Sequence, residues 1–210
     1  MEPEVLAELG LPSSLSTWLL LAALPLLLAA CTAFTKVSIV LAALRQGLGA
    51  QRLLPMGSML ALALVITALI MAPVGTAVAL KLEALGAFQR PEALGLSDWL
   101  SALDPLWRFA GEQARSEEVE RFAGLTGRAL SDPLTVVPAF LVSELGRGLE
   151  IAVMILLPFV VVDLIAAESM LLLGLQQTPT AVISLPAKIL LFLAADGWRL
   201  MIVGLVEGYR

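Results

Sequence analysis

The hydrophobic positions of this chain form long continuous runs, with little of the alternation that marks a half-buried β-strand. No charged residue occurs between Leu9 and Thr35, and none occurs between Leu53 and Leu80. A helix of about 20 apolar residues is long enough to cross the hydrocarbon core of a bilayer. The pattern therefore predicts an all-α chain whose helices are long enough to span a membrane.

Two hydrophobic helices are predicted in the N-terminal part of the chain. The first covers residues 15–44 and is expected to kink at Pro25, because an internal proline removes a backbone hydrogen bond. The second covers residues 55–80 and is expected to bend near Pro73. Both helices of this pair are therefore predicted to be long and kinked.

A second pair of hydrophobic helices is predicted in the C-terminal third. One runs from residue 138 to 173, with a kink at Pro158. After a turn over residues 174–179, the other runs from 183 to 206. The fold expected from the pattern is thus four long kinked hydrophobic helices, in two pairs.

A polar segment separates the two pairs, since residues 81–150 hold 18 of the 31 charged residues. We predict a small helical insert there that lies outside the apolar layer. The predicted domains are an N-terminal helix pair (1–80), the insert (81–136) and a C-terminal helix pair (137–210). Polar and acidic residues indicate helix starts at Ser97-Asp98, Ser116-Glu117-Glu118 and Ser131-Asp132-Pro133.

The composition narrows the classes of function. Apolar residues make up 59% and charged residues 15% of the chain, and soluble proteins carry about 25% charged residues. A net charge of -5, without a dense basic stretch, argues against a nucleic-acid partner. The chain has no histidine and one cysteine, Cys31, so it lacks the usual general base and metal ligand and cannot form an internal disulfide. We therefore expect neither an enzyme nor a metal or cofactor site.

Five charged residues lie inside the apolar runs: Lys36, Asp163, Glu168, Lys188 and Asp196. Charges at such places are costly in lipid and usually face protein or water. They could carry protons or ions, or they could form pairs between helices or between subunits, for example Asp163 with Lys188. We favour pairing, because lysine and arginine residues are available as partners for the acids. The chain also has no histidine, the residue that most often carries protons near neutral pH.

Two other classes of function stay open on the residues alone. A secondary transporter or an ion-channel subunit would use Asp163, Glu168 and Lys188 as its pathway. An intramembrane enzyme would need a nucleophile with a base, or a metal site, and no such combination is visible in the sequence. The composition favours a subunit of a membrane-associated assembly over either.

The N-terminal apolar run ends at Leu28-Ala29-Ala30-Cys31, which is similar to a lipoprotein cleavage box. A signal peptide begins with a positively charged region, whereas the first ten residues carry Glu2, Glu4 and Glu8 and no lysine or arginine. We expect this small-residue cluster to lie inside a helix rather than to be a processing site.

Several short stretches carry a specific resemblance through their order and spacing. In the N-terminal part they are Phe34-Thr35-Lys36, Leu44-Arg45-Gln46-Gly47-Leu48-Gly49 and Ile70-Met71-Ala72-Pro73-Val74. In the C-terminal part they are Val137-Pro138-Ala139-Phe140, Ser143-Glu144-Leu145, Leu157-Pro158-Phe159, Val162-Asp163-Leu164, Ser184-Leu185-Pro186, Lys188, Leu191-Phe192 and Asp196-Gly197-Trp198. Together they resemble the export-gate subunit of bacterial type III secretion systems, known as FliP in flagella and SctR in injectisomes.

The resemblance implies a non-enzymatic subunit of the inner membrane. Family members form a helical ring of five copies with SctS/FliQ-like and SctT/FliR-like subunits, and work with SctU/FlhB-like and SctV/FlhA-like export components. The finished complex projects toward the periplasm and forms the pore through which unfolded substrate proteins leave the cytoplasm. Helices that carry charges suit burial in such a ring better than exposure to lipid.

The resemblance also points to a candidate gate in the turn between the last two predicted helices. Family members often have a methionine-rich turn there, which narrows the closed pore. In this chain the turn contains Leu175, Gln176 and Gln177 and no methionine, so it is either a gate of different chemistry or a plain polar turn. The unprocessed-looking N-terminus is similar to the injectisome branch, since flagellar members tend to carry a cleaved signal peptide.

Overall fold

The computed structural model describes residues 18, 22–23, 25–27, 29–90, 94–175 and 177–209. These residues are predominantly helical, and no β-strand occurs among them. The all-α prediction is therefore confirmed.

Eight helices follow one another in the described part of the chain after Ala33. They are α1 (Phe34–Gly47), α2 (Met56–Ala84), α3 (Leu96–Ala102), α4 (Asp104–Gln113), α5 (Ser116–Thr126), α6 (Pro133–Leu172), α7 (Ala181–Ala194) and α8 (Gly197–Glu207). A short helical segment, Pro25–Cys31, precedes α1.

Two of these helices, α2 with 29 residues and α6 with 40, are each long and apolar enough to cross a membrane. The described residues hold up to four spans if each bent helix pair is counted as one, namely Pro25–Cys31 with α1, and α7 with α8. The four predicted hydrophobic segments are thus present, and two of them are broken.

A break in the first segment lies at Thr32 and Ala33. The predicted kink at Pro25 stays a prediction, because residue 24 next to it lies outside the described residues. Residues 15–17, which the prediction included in this helix, lie outside the described part of the chain.

Helix α6 begins at Pro133, five residues before the predicted start near Pro138. Asp132 caps it, since the backbone N–H of Leu134 donates to the Asp132 carboxylate at 2.8 Å. That hydrogen bond, together with Arg128 at 3.0 Å, lowers the pKa of Asp132. With this cap in place the helix runs through Pro138 and Pro158 to Leu172 without interruption.

The fourth predicted helix is two helices, because the chain turns by 59° between α7 and α8. Asp196 at the bend has a φ of 49°, in the left-handed region that aspartate tolerates better than most residues. Across the bend Phe192 and Trp198 pack edge to face, with ring centroids 5.3 Å apart. A Cβ on Gly197 would lie 2.3 Å from the Phe192 ring, so only glycine fits there.

Long-range packing divides the chain into two compact units. Unit 1 is formed by the described residues of 1–33 and 71–143, and unit 2 by those of 34–70 and 144–209. The division into three consecutive segments, 1–80, 81–136 and 137–210, stays a prediction.

Unit 1 contains the polar helices and has a small aromatic core. Ala110 of α4 and Val136 and Phe140 of α6 are buried together, and Phe109 meets Phe140 edge to face with centroids 5.9 Å apart. The Ser143 hydroxyl accepts a hydrogen bond from the Arg115 backbone N–H at 2.9 Å, which fixes the connection between α4 and α5.

In unit 2, α1 packs along α6 in the same direction. Near the start of α1, a Cβ on Gly148 would be 3.3 Å from Ile39. Near its end, a Cβ on Gly47 would be 2.7 Å from the Phe159 ring. Glycine therefore allows the close approach of the two helices at both levels.

Helix α2 returns antiparallel to α1 within unit 2. The connecting turn is fixed by Arg45, whose Nε donates to the Leu54 carbonyl at 2.6 Å and whose Nη2 donates to the Gln51 carbonyl at 3.0 Å. The buried face of this part of α2 consists of Met59, Ala63, Ile66, Thr67 and Ile70. Unit 2 is thus built on a parallel pair, α1 with α6, and an antiparallel pair, α1 with α2.

Candidate functional site: buried charges and the turn after α6

The most deeply buried charges of unit 2 are Lys36 of α1 and Glu144 of α6. Lys36 Nζ lies 3.5 Å from Glu144 Oε1, and the two side chains are 3% and 0% exposed. In so dry an environment an unpaired charge would be costly, so each of these residues requires the other.

Two further side chains complete what we call the Glu144 cluster. Arg147, one turn along α6, places Nη1 3.3 Å from Glu144 Oε1. Tyr209, after the end of α8, donates its hydroxyl to the other carboxylate oxygen, Oε2. Its ring lies under the Lys36 ammonium, with Nζ 3.4 Å from the ring centroid. One carboxylate therefore binds two cations and a phenol, joining α1, α6 and the C-terminal segment.

The arrangement favours structure over proton transfer. Both oxygens of Glu144 accept bonds from charged or phenolic donors on other parts of the chain, so the carboxylate acts as a fixed link between helices. The sequence pattern pointed to Lys36 but did not identify Glu144, Arg147 and Tyr209 as the other members of this cluster. Glu144 was visible only within the motif Ser143-Glu144-Leu145, and no spacing rule pointed to Tyr209.

A second ion pair joins α6 to α7. Lys188 Nζ lies 2.5 Å from Asp163 Oδ2, with the lysine side chain 7% exposed and the aspartate side chain 47% exposed. The structure thus brings together two residues that the sequence singled out as candidates. The lysine is enclosed by protein while the carboxylate is half open to the outside.

The other two predicted charges have different surroundings. Glu168 is exposed on α6 and has no ion-pair partner among the described residues. Asp196 lies at the α7–α8 bend, 3.9 Å from Arg199, with both side chains more than 60% exposed. This pair is too open to contribute much to stability.

The turn after α6 has a defined backbone geometry. Gly174 has a φ of 71°, and the backbone N–H of Leu175 donates to the Met170 carbonyl at 2.9 Å. These features, with the Gly174 N–H bonded to the Leu171 carbonyl at 3.1 Å, form a Schellman cap. Leu175 is 46% exposed and Gln177 is also exposed, whereas Gln176, the third predicted gate residue, lies outside the described residues.

A cavity of about 440 Å³ in unit 2 lies beside the α7–α8 bend. Leu44, Pro158, Phe192, Met201 and Leu205 are among the residues that line it. Because its walls are mostly apolar, the cavity is poorly suited to binding an ion or a polar solute. Among the described residues, no group of three His, Cys, Asp or Glu side chains is placed to hold a metal ion.

The apolar surfaces of the two long helices are largely uncovered. In the most apolar stretch of α2, and likewise of α6, only 17% of the residues are buried. Exposed apolar areas of this extent need lipid or other protein chains to cover them. The molecule therefore combines buried ion pairs inside with uncovered apolar faces outside.

Comparison with known proteins identifies a family and several relatives with similar sequences. A profile of the FliP family matches residues 17–205. The probable translocation protein y4yL of Sinorhizobium fredii is 34% identical, over all of this chain and 96% of its own length. The Yop proteins translocation protein R of Yersinia pestis is 35% identical, over 90% of this chain and 92% of its own. The flagellar biosynthetic protein FliP of Caulobacter vibrioides is 33% identical, over 85% of this chain and 69% of its own.

Proposed function

The chain belongs to the FliP family, and on that premise we propose that it forms the wall of a protein-conducting pore. It is a FliP/SctR subunit of a type III secretion or flagellar export apparatus, located in the inner membrane. It is a structural component of that apparatus. The proposal concerns its role there, which is to conduct unfolded substrate proteins out of the cytoplasm.

The observation that carries the proposal is the combination of enclosed charges and open apolar faces in unit 2. The Glu144 cluster and the Lys188–Asp163 pair stiffen the contacts among α1, α6, α7 and the C-terminal segment. The faces that remain open on α2 and α6 are apolar. Such a protomer is suited to packing against neighbouring chains, because its charges are satisfied within and its outer faces are free to pack.

The proposed assembly is a helical ring of five copies that projects toward the periplasm. Its partners are one SctT/FliR-like subunit and several small SctS/FliQ-like subunits, together with SctU/FlhB-like and SctV/FlhA-like export components. One relative of this chain takes its name from the translocation of Yop proteins. For this chain we infer the corresponding cargo, unfolded protein substrates of its own secretion system.

The gate of the pore is assigned to the turn after α6. Its Schellman cap holds Leu175 in a fixed position beyond the helix end, where its exposed side chain could meet the same residue of other copies. The neighbouring glutamines, Gln176 and Gln177, would hydrogen-bond across the ring. Leucine and glutamine would then take the place of the family's methionines in closing the pore.

The most detailed part of the proposal is the branch of the family, injectisome or flagellar, to which the chain belongs. Relatives from both branches match at nearly equal identity, 35% for the Yersinia protein and 33% for the Caulobacter protein. The preference for an injectisome is therefore a proposal that these identities do not decide. Expressing the chain in strains that lack either their SctR or their FliP subunit tests it, since only the SctR-deficient strain should regain secretion.

The role in the pore is tested by deleting the gene in its own organism. Secretion of substrates should cease and should return with the wild-type chain supplied in trans. The transporter alternative makes a different prediction, because the purified chain alone would then move protons or ions across liposome membranes, and Asp163→Asn would abolish that flux. Flux by the isolated chain, with normal secretion in the deletion strain, would overturn the proposal.

A further inference from the structure

Two uncovered faces of unit 2 have complementary shapes. The first is a ridge on α6 in which large apolar side chains recur every four residues, the spacing at which side chains form a continuous row along a helix. We call it the α6 ridge, and its members, all exposed, are Leu145, Leu149, Val153, Leu157 and Val161. The row is bulky along its whole length, and its side chains are between 39% and 59% exposed.

The second face is a shallow strip on α2. Gly57, Ala61 and Ala68 are exposed on the side of the helix away from its buried residues, and the larger Leu64 lies between the two alanines. A Cβ on Gly57 would have no atom within 4 Å. We call these three residues the α2 groove, because small side chains let a neighbouring helix approach closely.

The ridge and the groove lie at the same level along the helix axes. Because α1 runs parallel to α6, its last residue, Gly47, is level with Phe159. Because α2 runs back along α1, Gly57 is level with the end of α1, and Ala61 and Ala68 follow toward its beginning. A rotation about an axis parallel to these helices would therefore bring the groove of one copy to the ridge of another.

Opposite charges mark the same end of the two faces. Arg52 is exposed in the turn just before the α2 groove. Glu168 is exposed two helical turns beyond Val161, the last member of the ridge, and its neighbours Leu164 and Leu171 are exposed and apolar. Neither Arg52 nor Glu168 has an ion-pair partner among the described residues.

Arg52 and Glu168 also lie at a similar position along the helix axes. A Cβ on Gly49, three residues before Arg52, would lie 4.0 Å from Leu185. Leu185 is about one turn from Lys188, which pairs with Asp163. Glu168 is five residues beyond Asp163, or about 7.5 Å along the helix, a distance that a long arginine side chain can bridge.

We propose that the α6 ridge of one copy packs into the α2 groove of the next copy, with Arg52 and Glu168 paired across the contact. The inference rests on the proposed function, in which copies of this chain form a ring. The two faces differ, so the contact is head to tail and repeats around a closed ring. Lipid chains could fill the groove but would leave Glu168 without a cation in an apolar face.

Cysteine cross-linking tests the packing. In a Cys31→Ser background, Ala61→Cys together with Val153→Cys places one thiol in the groove and one on the ridge at nearly the same level. Oxidation of the full chain, expressed with its export partners, should give a ladder of covalent oligomers. The matched control combines Ala61→Cys with Leu190→Cys, a residue of α7 that is similarly exposed. A ladder from the control pair in place of the test pair would overturn the assignment.

Charge reversal tests the ion pair. Arg52→Glu and Glu168→Arg should each lower the yield of assembled rings about tenfold, as expected for a contact pair of ordinary coupling energy. The double variant, Arg52→Glu with Glu168→Arg, should recover to within about twofold of the wild type. Equal loss in the double and single variants would contradict the pairing. If the wild-type chain forms no oligomer, the proposed function fails; if it does but neither test succeeds, only this interface fails.

Discussion

Lys36 and Glu144 are 108 residues apart in sequence, yet their side chains form a buried ion pair with Nζ 3.5 Å from Oε1. This contact fixes the start of α1 against α6 in unit 2. It also explains how a lysine is retained within one of the most apolar parts of the chain. Its consequences for stability are specific and can be measured.

Replacing Lys36 by methionine keeps the length of the side chain but leaves Glu144 with one cation fewer. We expect a loss of about 3 kcal/mol in the free energy of unfolding, the low end of the range for breaking a buried pair, because Arg147 and Tyr209 still bind the carboxylate. Thermal unfolding in detergent, followed by circular dichroism, measures it. The control, Arg199→Met, removes an exposed pair and should change stability by less than about 0.5 kcal/mol. Similar losses in the two variants would contradict the assignment.

Tyr209 contributes to the cluster through its hydroxyl and through its ring, and two substitutions separate these contributions. Tyr209→Phe removes the hydroxyl that donates to Glu144 and should cost about 1 to 2 kcal/mol. Tyr209→Ala also removes the ring beneath Lys36 and should cost about 1 kcal/mol more. The midpoint temperatures should therefore fall in the order wild type, phenylalanine, alanine. Equal midpoint temperatures for Tyr209→Phe and Tyr209→Ala would show that the ring contributes nothing to stability.

The pair between Lys188 and Asp163 is expected to matter for assembly more than for conduction. Lys188→Ala leaves the Asp163 carboxylate without its partner 2.5 Å away, so oligomer yield on a native gel should drop. Adding Asp163→Asn to Lys188→Ala removes the stranded charge and should restore part of the yield. An oligomer yield that is normal in Lys188→Ala would refute this prediction.

The cap of α6 gives a prediction about pH. Because the Leu134 N–H and Arg128 lower the pKa of Asp132 in the folded protein, its ionised form stabilises that state. This contribution is complete above the unfolded pKa of about 4 and is lost as pH falls through the lower folded value. Asp132→Ala should therefore cost about 1 kcal/mol at pH 7, and the difference from wild type should shrink below pH 4. Asp132→Asn, which keeps a capping oxygen, should lose less, and equal losses at every pH would contradict the pH prediction.

The turn after α6 is expected to affect leakage but not assembly. Deleting residues 175–177, or replacing Leu175 by glycine, should increase the passage of small solutes through cells that express the whole apparatus. The ring should still form, because α6 and α7 keep their pair between Asp163 and Lys188. Fluorescent dye uptake and a native gel on the same cells provide the two readings. Unchanged permeability in both variants would remove the gate from this turn.

Local sequence signals predicted some elements closely. The uncharged run before Leu80 predicted α2 well, and the acids after Ser116 marked the start of α5. Asp132 and Pro133 were recognised as a helix start, yet the hydrophobic helix was predicted to begin only near Pro138. The cap and the apolar helix proved to be one element, and Pro138 lies inside its second turn.

Other features depend on contacts that a sequence pattern does not contain. The bend at Asp196 interrupts an apolar run that reads as one helix, and it depends on Phe192 packing over Gly197. The partners of Lys36 are distant in sequence and come from α6 and the C-terminal segment. The pairing of Asp163 with Lys188 could be suggested, because both lie in consecutive apolar helices, but Glu168 was not distinguishable from them by pattern alone.

The central claim is that protein chains, rather than lipid, cover the open apolar faces of this subunit. The most direct test is the mass of the detergent-extracted complex, measured by native mass spectrometry with and without co-expressed export partners. We expect an assembly containing five copies of the 22.2 kDa chain, whose mass increases when the partners are present. A single chain surrounded by detergent and lipid, whether or not the partners are expressed, would contradict it.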